Sequence, residues 1–225
     1  MQCLKALDEG IWVVEGSMRS FGSQLPIRTT LVAQAEGLWV HSPIPLGPEI
    51  RNELAALPRV RFLIAPNLYH HLFVPEWKQA FPGAEIWGAP GLRTKLPQVR
   101  FDGELSADPH PAWSDTIEHQ LFSALPIFNE VVFFDRTSRS LIVTDLVFHF
   151  QDVPWNLVGL YVRLAGAHRR FGPSRITRWL MRDRKLARLQ IDRILAWPFQ
   201  RVVVSHGQIV DQDAHDRFEQ AFAWL

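Results

Sequence analysis

Val60-Arg61-Phe62-Leu63-Ile64-Ala65-Pro66-Asn67-Leu68-Tyr69-His70-His71 is the stretch on which the fold turns. Its first six residues are almost all apolar and short in extent, as in a strand buried on both faces. Pro66 stops the run, and side chains able to bind a metal follow within five residues. The same pattern recurs twice. Leu141-Ile142-Val143 runs into Thr144-Asp145, and Val202-Val203-Val204 runs into Ser205-His206-Gly207. Ligands gather beyond strand ends in α/β folds. His70, His71, Asp145 and His206, drawn to one sheet edge, suit Zn²⁺ or another borderline metal. Spacing alone leaves a plainer alternative open: a His pair in a loop and an Asp that caps a turn.

Outward from that stretch, strands and helices follow from composition. Ile11–Gly16 is β-rich and ends on a turn glycine. Arg28–Ala33 and Gly37–Ser42 flank Ala35-Glu36-Gly37 and predict an antiparallel hairpin. Pro48-Glu49 opens a helix to Leu57, because proline suits the first turn and an acid suits the helix dipole. Pro58 stops it. A second short helix starts at Pro75-Glu76-Trp77, and Glu85–Gly88 is a further strand. Val131–Phe134 and Ser140–Thr144 surround the polar turn Asp135–Arg139, a second hairpin. Residues 153–200 read as helices interrupted at Gly166 and Gly172-Pro173. Arg201–Ser205 is a last buried strand, and Asp211–Leu225 an amphipathic helix with Phe218, Ala221, Phe222 and Leu225 on one face. The order predicts a mixed α/β (α+β) class, two sheets between helix layers, in one domain over residues 1–225 with a basic helical insert at about 153–200.

The chain has 225 residues, 47% hydrophobic and 21% charged, with a formal net charge of +1. That is too apolar and too nearly neutral for a disordered chain. The balance also argues against wholesale nucleic-acid binding. No apolar run reaches the ~18 residues of a membrane span. The N-terminal residues lack the basic and apolar regions of a signal peptide. A soluble, cytoplasmic protein is therefore expected. Cys3 is the single cysteine, so there is no disulfide partner within the chain and no cysteine-rich metal site.

Leu38–Ile44, Ala65–Phe73, Glu130–Asp135 with Val143–Leu146, and Val204–Gly207, taken in order, resemble the metallo-β-lactamase superfamily, and more closely a branch of it catalogued as a domain of unknown function. The resemblance implies a four-layer αββα sandwich. The superfamily's strand-end signature is Thr-His-x-His-x-Asp-His. Aligned on its last His, the chain has Pro66 and Leu68 at the first two His positions, His70 at the Asp and His71 at the final His. The next ligand His would fall in Leu125-Pro126-Ile127-Phe128 and is absent. The bridging Asp is kept as Asp145, and the last His as His206. The resemblance thus implies that one of two metal sites is lost at Pro66, Leu68 and Pro126. The other keeps His70, His71, Asp145 and His206, for one divalent metal ion, Zn²⁺ ahead of iron. Replacing a carboxylate by His70 makes that site one unit more positive, which lowers the pKa of bound water but weakens cation affinity.

Other residues need both readings. His41 matches a supporting Asp of the superfamily. It would orient or bind the ion, or be a buried histidine bonded to a loop carbonyl. Glu130 is the spare acid/base candidate beside Asp145, or a solvated hairpin end. His149, just past Asp145, could face the cavity. His110, His119, His168 and His215 read as structural or solvated.

Residues 163–193 hold ten Lys/Arg against Asp183 and Asp192. In the superfamily this region shapes the substrate cleft, so Arg182 and Arg184 are candidates for a lid over an anionic substrate. Anionic lipid or nucleic acid are alternative partners, and a solvated helical face is the plain reading. The resulting functional expectation is a single-metal hydrolase for a small anionic molecule. The alternatives are a binding module that kept the fold without metal or chemistry, and a mono-iron redox site.

Overall fold

The structure, a computed structural model, describes residues 3–20, 23–106, 108 and 110–225. Its first sheet has seven strands in sequential order. β1 (Leu4–Asp8), β2 (Ile11–Ser20), β3 (Ser23–Gln34) and β4 (Gly37–His41) form an antiparallel meander. β5 (Val60–Ala65), β6 (Glu85–Gly88) and β7 (Gly103–Glu104) continue it in parallel. Parallel pairing requires crossovers. These contain α1 (Pro48–Leu54), α2 (Val74–Ala80) and α3 (Leu92–Lys95).

The second sheet has four strands in the order β11-β10-β9-β8. β8 (Ile117–Phe122), β9 (Glu130–Asp135) and β10 (Ser140–Val143) are antiparallel, and β11 (Arg201–Val204) joins β10 in parallel. Strand alternation sorts its side chains to two cores. Val131, Phe133, Ile142 and Val203 pack in the cluster shared with the first sheet. Val132, Phe134, Leu141, Val143, Val202 and Val204 pack with α6 (Arg184–Leu195) and α7 (Ala214–Phe222). The result is the αββα layering expected from the sequence.

The predicted strands and both hairpins are present. The stretch 153–200 holds α4 (Leu157–Leu164), α5 (Arg175–Leu180) and α6. Each starts on a side-chain cap: Asn156 accepts from Gly159 N, Ser174 from Thr177 N, and Asp183 from Leu186 N. Asp183 therefore has a structural task amid the arginines. The last helix begins at Ala214 rather than Asp211. Strand β1 was not anticipated. Its LKALD sequence lacks β-branched residues and it is mostly solvent-facing, so its pairing with β2 determines its conformation.

Candidate metal site

Strands β5, β10 and β11 end at the same edge, and the loops beyond them meet. His70 Nε2 lies 3.2 Å from His206 Nε2. Asp145 Oδ2 lies 3.3 Å from His70 Nε2, and Oδ1 lies 3.5 Å from His206 Nε2. Taking one ligand atom from each residue, the three fall within 4.8 Å of one another.

Each side chain is aimed by a partner outside the group. His206 Nδ1 donates to Pro26 O at 2.8 Å. That bond aims Nε2 at Asp145 and His70, and in the neutral ring it keeps the proton on Nδ1 so that Nε2 could ligate an ion, the arrangement a metal-ligating imidazole needs. His70 Nδ1 lies 2.7 Å from Ser42 Oγ. Ser42 sits just past β4 with φ at 53°, a left-handed conformation uncommon for a residue with a side chain. Gly207 follows His206 at φ +106°, and a Cβ there would stand 2.1 Å from His149 O. Only glycine fits that close approach.

Asn67 ties the loops together. Its Nδ2 donates to Thr144 Oγ1 at 2.8 Å and to Asp145 Oδ2 at 2.7 Å. Its Oδ1 accepts from the backbone N–H groups of Tyr69 and His70. Burial would raise the Asp145 carboxyl, but the charge and N–H groups of His70 and His206 outweigh it and hold it well below the usual carboxylate range. Burial lowers His206, and the hydrogen bond and charge of Asp145 more than reverse this.

The ligand spacing fits one ion. Tetrahedral coordination at bonds of ~2.0–2.1 Å places neighbouring ligand atoms ~3.3 Å apart. Two imidazoles and a carboxylate are also an ordinary donor set for Zn²⁺ or Fe²⁺.

The remaining expected residues are distributed around this group. His71 lines the same cavity but stands outside the cluster of three. Burial, then the charges of Lys95 and His70, lower its pKa. Glu130 is buried, not a solvated hairpin end, and does not line the cavity. Its carboxylate accepts from the backbone N–H groups of Thr144, Asp145 and Leu146 at 2.6–2.8 Å. Burial first, and Asp145 second, push its pKa up to about 7. His41 is fully buried, stacked 5.6 Å from Trp39, with neither ring nitrogen partnered among the described residues. His149 Nδ1 bonds Gln208 O, outside the cavity wall. Arg182 and Arg184 are exposed, over the rings of Trp179 and Trp224, and neither lines the cavity.

That cavity, about 530 Å³, is walled by Ile27, Phe128, Phe148, Phe150, Tyr161 and Val162 among others, with Lys95 the cation on it. Asn67, read from the sequence as near the cavity, is there, whereas Ser42 and Tyr161 are site residues the sequence reading does not pick out. Ser42 carries a legible signal: it too follows a buried strand and precedes a proline. Tyr161 carries none, because a helix folding over the cavity leaves no local pattern.

Residues 8–170 match a family described as a domain of unknown function, DUF4336. The chain belongs to that family. No curated protein matches the chain by sequence. Solved structures similar to this DUF4336 member include a metallo-β-lactamase from Pontibacter korlensis, at TM-score 0.66 and 17% identity over 99% of each chain. Another is the metallo-β-lactamase FIM-1 from Pseudomonas aeruginosa in its mono-zinc form, at TM-score 0.64 and 12% identity, covering 99% of this chain and 95% of that one. The flavodiiron core of Flv1 from Synechocystis sp. PCC6803 gives TM-score 0.67 and 11% identity over 99% of this chain and 60% of its own. The DUF4336 chain thus has the metallo-β-lactamase fold, with a His/Asp group able to hold a metal.

Proposed function

We propose that this DUF4336 protein is a single-metal hydrolase acting on a small substrate, with His70, Asp145 and His206 as metal ligands. The supporting observation is that His70, Asp145 and His206 each bring one ligand atom within 4.8 Å of the other two, with the two Nε2 atoms 3.2 Å apart and a carboxylate oxygen 3.3 or 3.5 Å from each. Three protein ligands leave a fourth position free, the feature that separates catalytic from structural zinc sites. When bound, the ion would supply Lewis-acid polarisation of a carbonyl or phosphoryl oxygen and lower the pKa of water.

The chain's own residues do the rest. Asp145 is ionised at neutral pH and orients an incoming water by accepting its O–H hydrogen bond. Asn67 fixes its second oxygen. Ser42 and Pro26 hold the two imidazoles in register. Phe128, Phe148 and Phe150 exclude bulk water, which strengthens electrostatic interactions at the reacting centre. His71 stands on the wall as a hydrogen-bonding group for substrate. Glu130 acts through the Thr144–Leu146 backbone as a positioning residue. Lys95, not Arg182 or Arg184, is the cation that would meet an anionic group, and the body of the substrate meets apolar walls.

Metal analysis of the purified chain tests the reading. The expected result is close to one zinc or iron per chain, falling to near zero in Asp145→Ala and His206→Ala. Two metals per chain would contradict the single site. A chain free of metal, with stability indifferent to added zinc, would favour a binding module.

A further inference from the structure

Helix α4 is apolar apart from Arg163 and the hydroxyl of Tyr161. Leu157, Leu160, Tyr161 and Leu164 recur at i, i+3, i+4 and i+7 and share one side of it. Such a stripe ordinarily faces a core. Here Leu157 is 65% exposed, Leu164 69%, Tyr161 53% and Leu160 46%. The core side of the same helix is Val158, Gly159 and Val162. Trp155, just before the helix, is 85% exposed, with the Arg163 guanidinium 4.0 Å above its ring. Single exposed apolar residues need no explanation, but a continuous stripe marks an interaction site.

The surface beside the stripe is basic. An open groove of about 460 Å³ runs between Trp155, Arg163, His168 and Arg169, with Asp152 its acid. Arg170 and Arg175 are exposed beyond it. Arg175 N donates to Ala165 O at 2.7 Å, which keeps that residue at the C-terminal end of α4. Aliphatic side chains with a tryptophan at the margin and arginines alongside suit the interfacial zone of an anionic bilayer. A second copy of this chain, packed by two-fold symmetry, would set arginines against arginines. Nucleic acid would engage the arginines but leave the leucines in water. The cavity also opens here, since Tyr161 is on both the exposed stripe and the cavity wall, and the exposed Tyr69 and Leu72 line it too.

We propose that α4 and its arginine flank dock this protein on anionic membrane surfaces, with the cavity mouth turned toward the bilayer. The docking depends on the surface alone and does not require the metal site to be catalytic.

Vesicle flotation of the full chain tests this, with phosphatidylcholine alone and with phosphatidylglycerol added. The chain should float with the anionic vesicles at low salt and less at high salt, because screening confines exposed charge to ~8 Å at physiological ionic strength. Leu157→Asp with Leu164→Asp should lower the bound fraction about tenfold or more. Arg169→Glu with Arg175→Glu should weaken binding at least about fivefold per charge. Both variants should keep the parent's melting curve and metal content, so loss of the hydrolase reading would leave this result intact. Absence of flotation with anionic vesicles would overturn the proposal, as would equal flotation of parent and leucine variant. A dimer dissolved by the leucine variant, without vesicle binding, would assign the stripe to a second copy. Binding of an RNA duplex that only the arginine variant loses, without vesicle binding, would assign the flank to nucleic acid.

Discussion

His41 stands out among single residues because its ring makes no hydrogen bond among the described residues. It lies between Trp39, stacked at 5.6 Å, and Phe133, edge-on at 5.5 Å. Burial, with the charge of His70 second, drives its pKa well below 6.5, so it is neutral. An unpartnered buried polar atom costs ~1–3 kcal/mol. His41→Leu should therefore leave stability unchanged or raise it by about 1 kcal/mol, read as the midpoint of thermal unfolding, with metal content unaltered. A loss of metal in that variant would restore His41 to the role its position in the family resemblance implied. His119 supplies a pH effect. Its pKa is lowered from 6.5, by burial first, with the Ser106 carbonyl and Asp108 opposing. The folded chain then binds fewer protons than the unfolded one below that value. The stability contribution is fully present above about pH 6.5 and is lost as pH falls toward the lowered folded value. The His119 contribution lowers the thermal midpoint as pH falls from 7.5 to 5, whereas Glu130 and His206, whose pKa values are raised, act in the opposite sense over the same range. The midpoint of the parent measured relative to His119→Gln should therefore fall with pH, since the lowered His41, His71 and His149 and the raised Glu130 and His206 are common to both chains. An identical slope in parent and variant would remove His119 from the account.

Elements, rather than residues, decide where the ligands point. Glu130, the first residue of β9, holds the end of β10 by accepting three backbone N–H groups. Glu130→Ala would strand those donors in a buried site, at about 1–3 kcal/mol each. The expected result is a loss of roughly 3 kcal/mol or more, read by denaturant unfolding, together with weaker metal retention. Glu130→Gln should be milder on stability, since one carboxamide oxygen still accepts. A Glu130→Ala chain of parental stability would deny the bracing role. The case also shows what a sequence can carry. Val60–Ala65, Ser140–Val143 and Arg201–Val204 were legible as buried strands because apolar runs bounded by turns have few other fates. His70, Asp145 and His206 were legible as a group because each follows such a run. Burial of Glu130 was not legible, since it depends on the loop after β10 folding back over β9. The place of Arg182 and Arg184 was not legible either. A run of charge reports that a helix is basic, but not which way it faces, and the packing of Ala187, Ile191 and Ile194 turns those arginines away from the cavity.

Across the whole molecule, the candidate site lies on the seam between the two sheets. His70 follows β5 of the seven-stranded sheet, whereas Asp145 and His206 follow β10 and β11 of the four-stranded one. Polar bonds cross the same seam. Asn67 reaches Thr144 and Asp145, His206 reaches Pro26, and Arg28 donates to Val204 O and Gly207 O. An ion held by all three ligands would bind the folded chain and not the unfolded one, because only folding brings the sheets together. Binding then adds to stability by mass action, ~2.7 kcal/mol when free metal is a hundredfold above its dissociation constant. For a chain of this size that corresponds to a rise of roughly 5–10 °C in the unfolding midpoint. Chelation should therefore lower the midpoint of the parent by about that amount, and added zinc should restore it. Asp145→Ala should melt at one temperature with or without chelator, since it lacks the ligand that faces both imidazoles. The two results together separate metal linkage from general destabilisation, which would lower the variant's midpoint but leave its response to chelator unchanged. If chelator leaves the metal-loaded parent unmoved, the ion does not join the sheets, and the three side chains meet there through the Asp145 carboxylate alone.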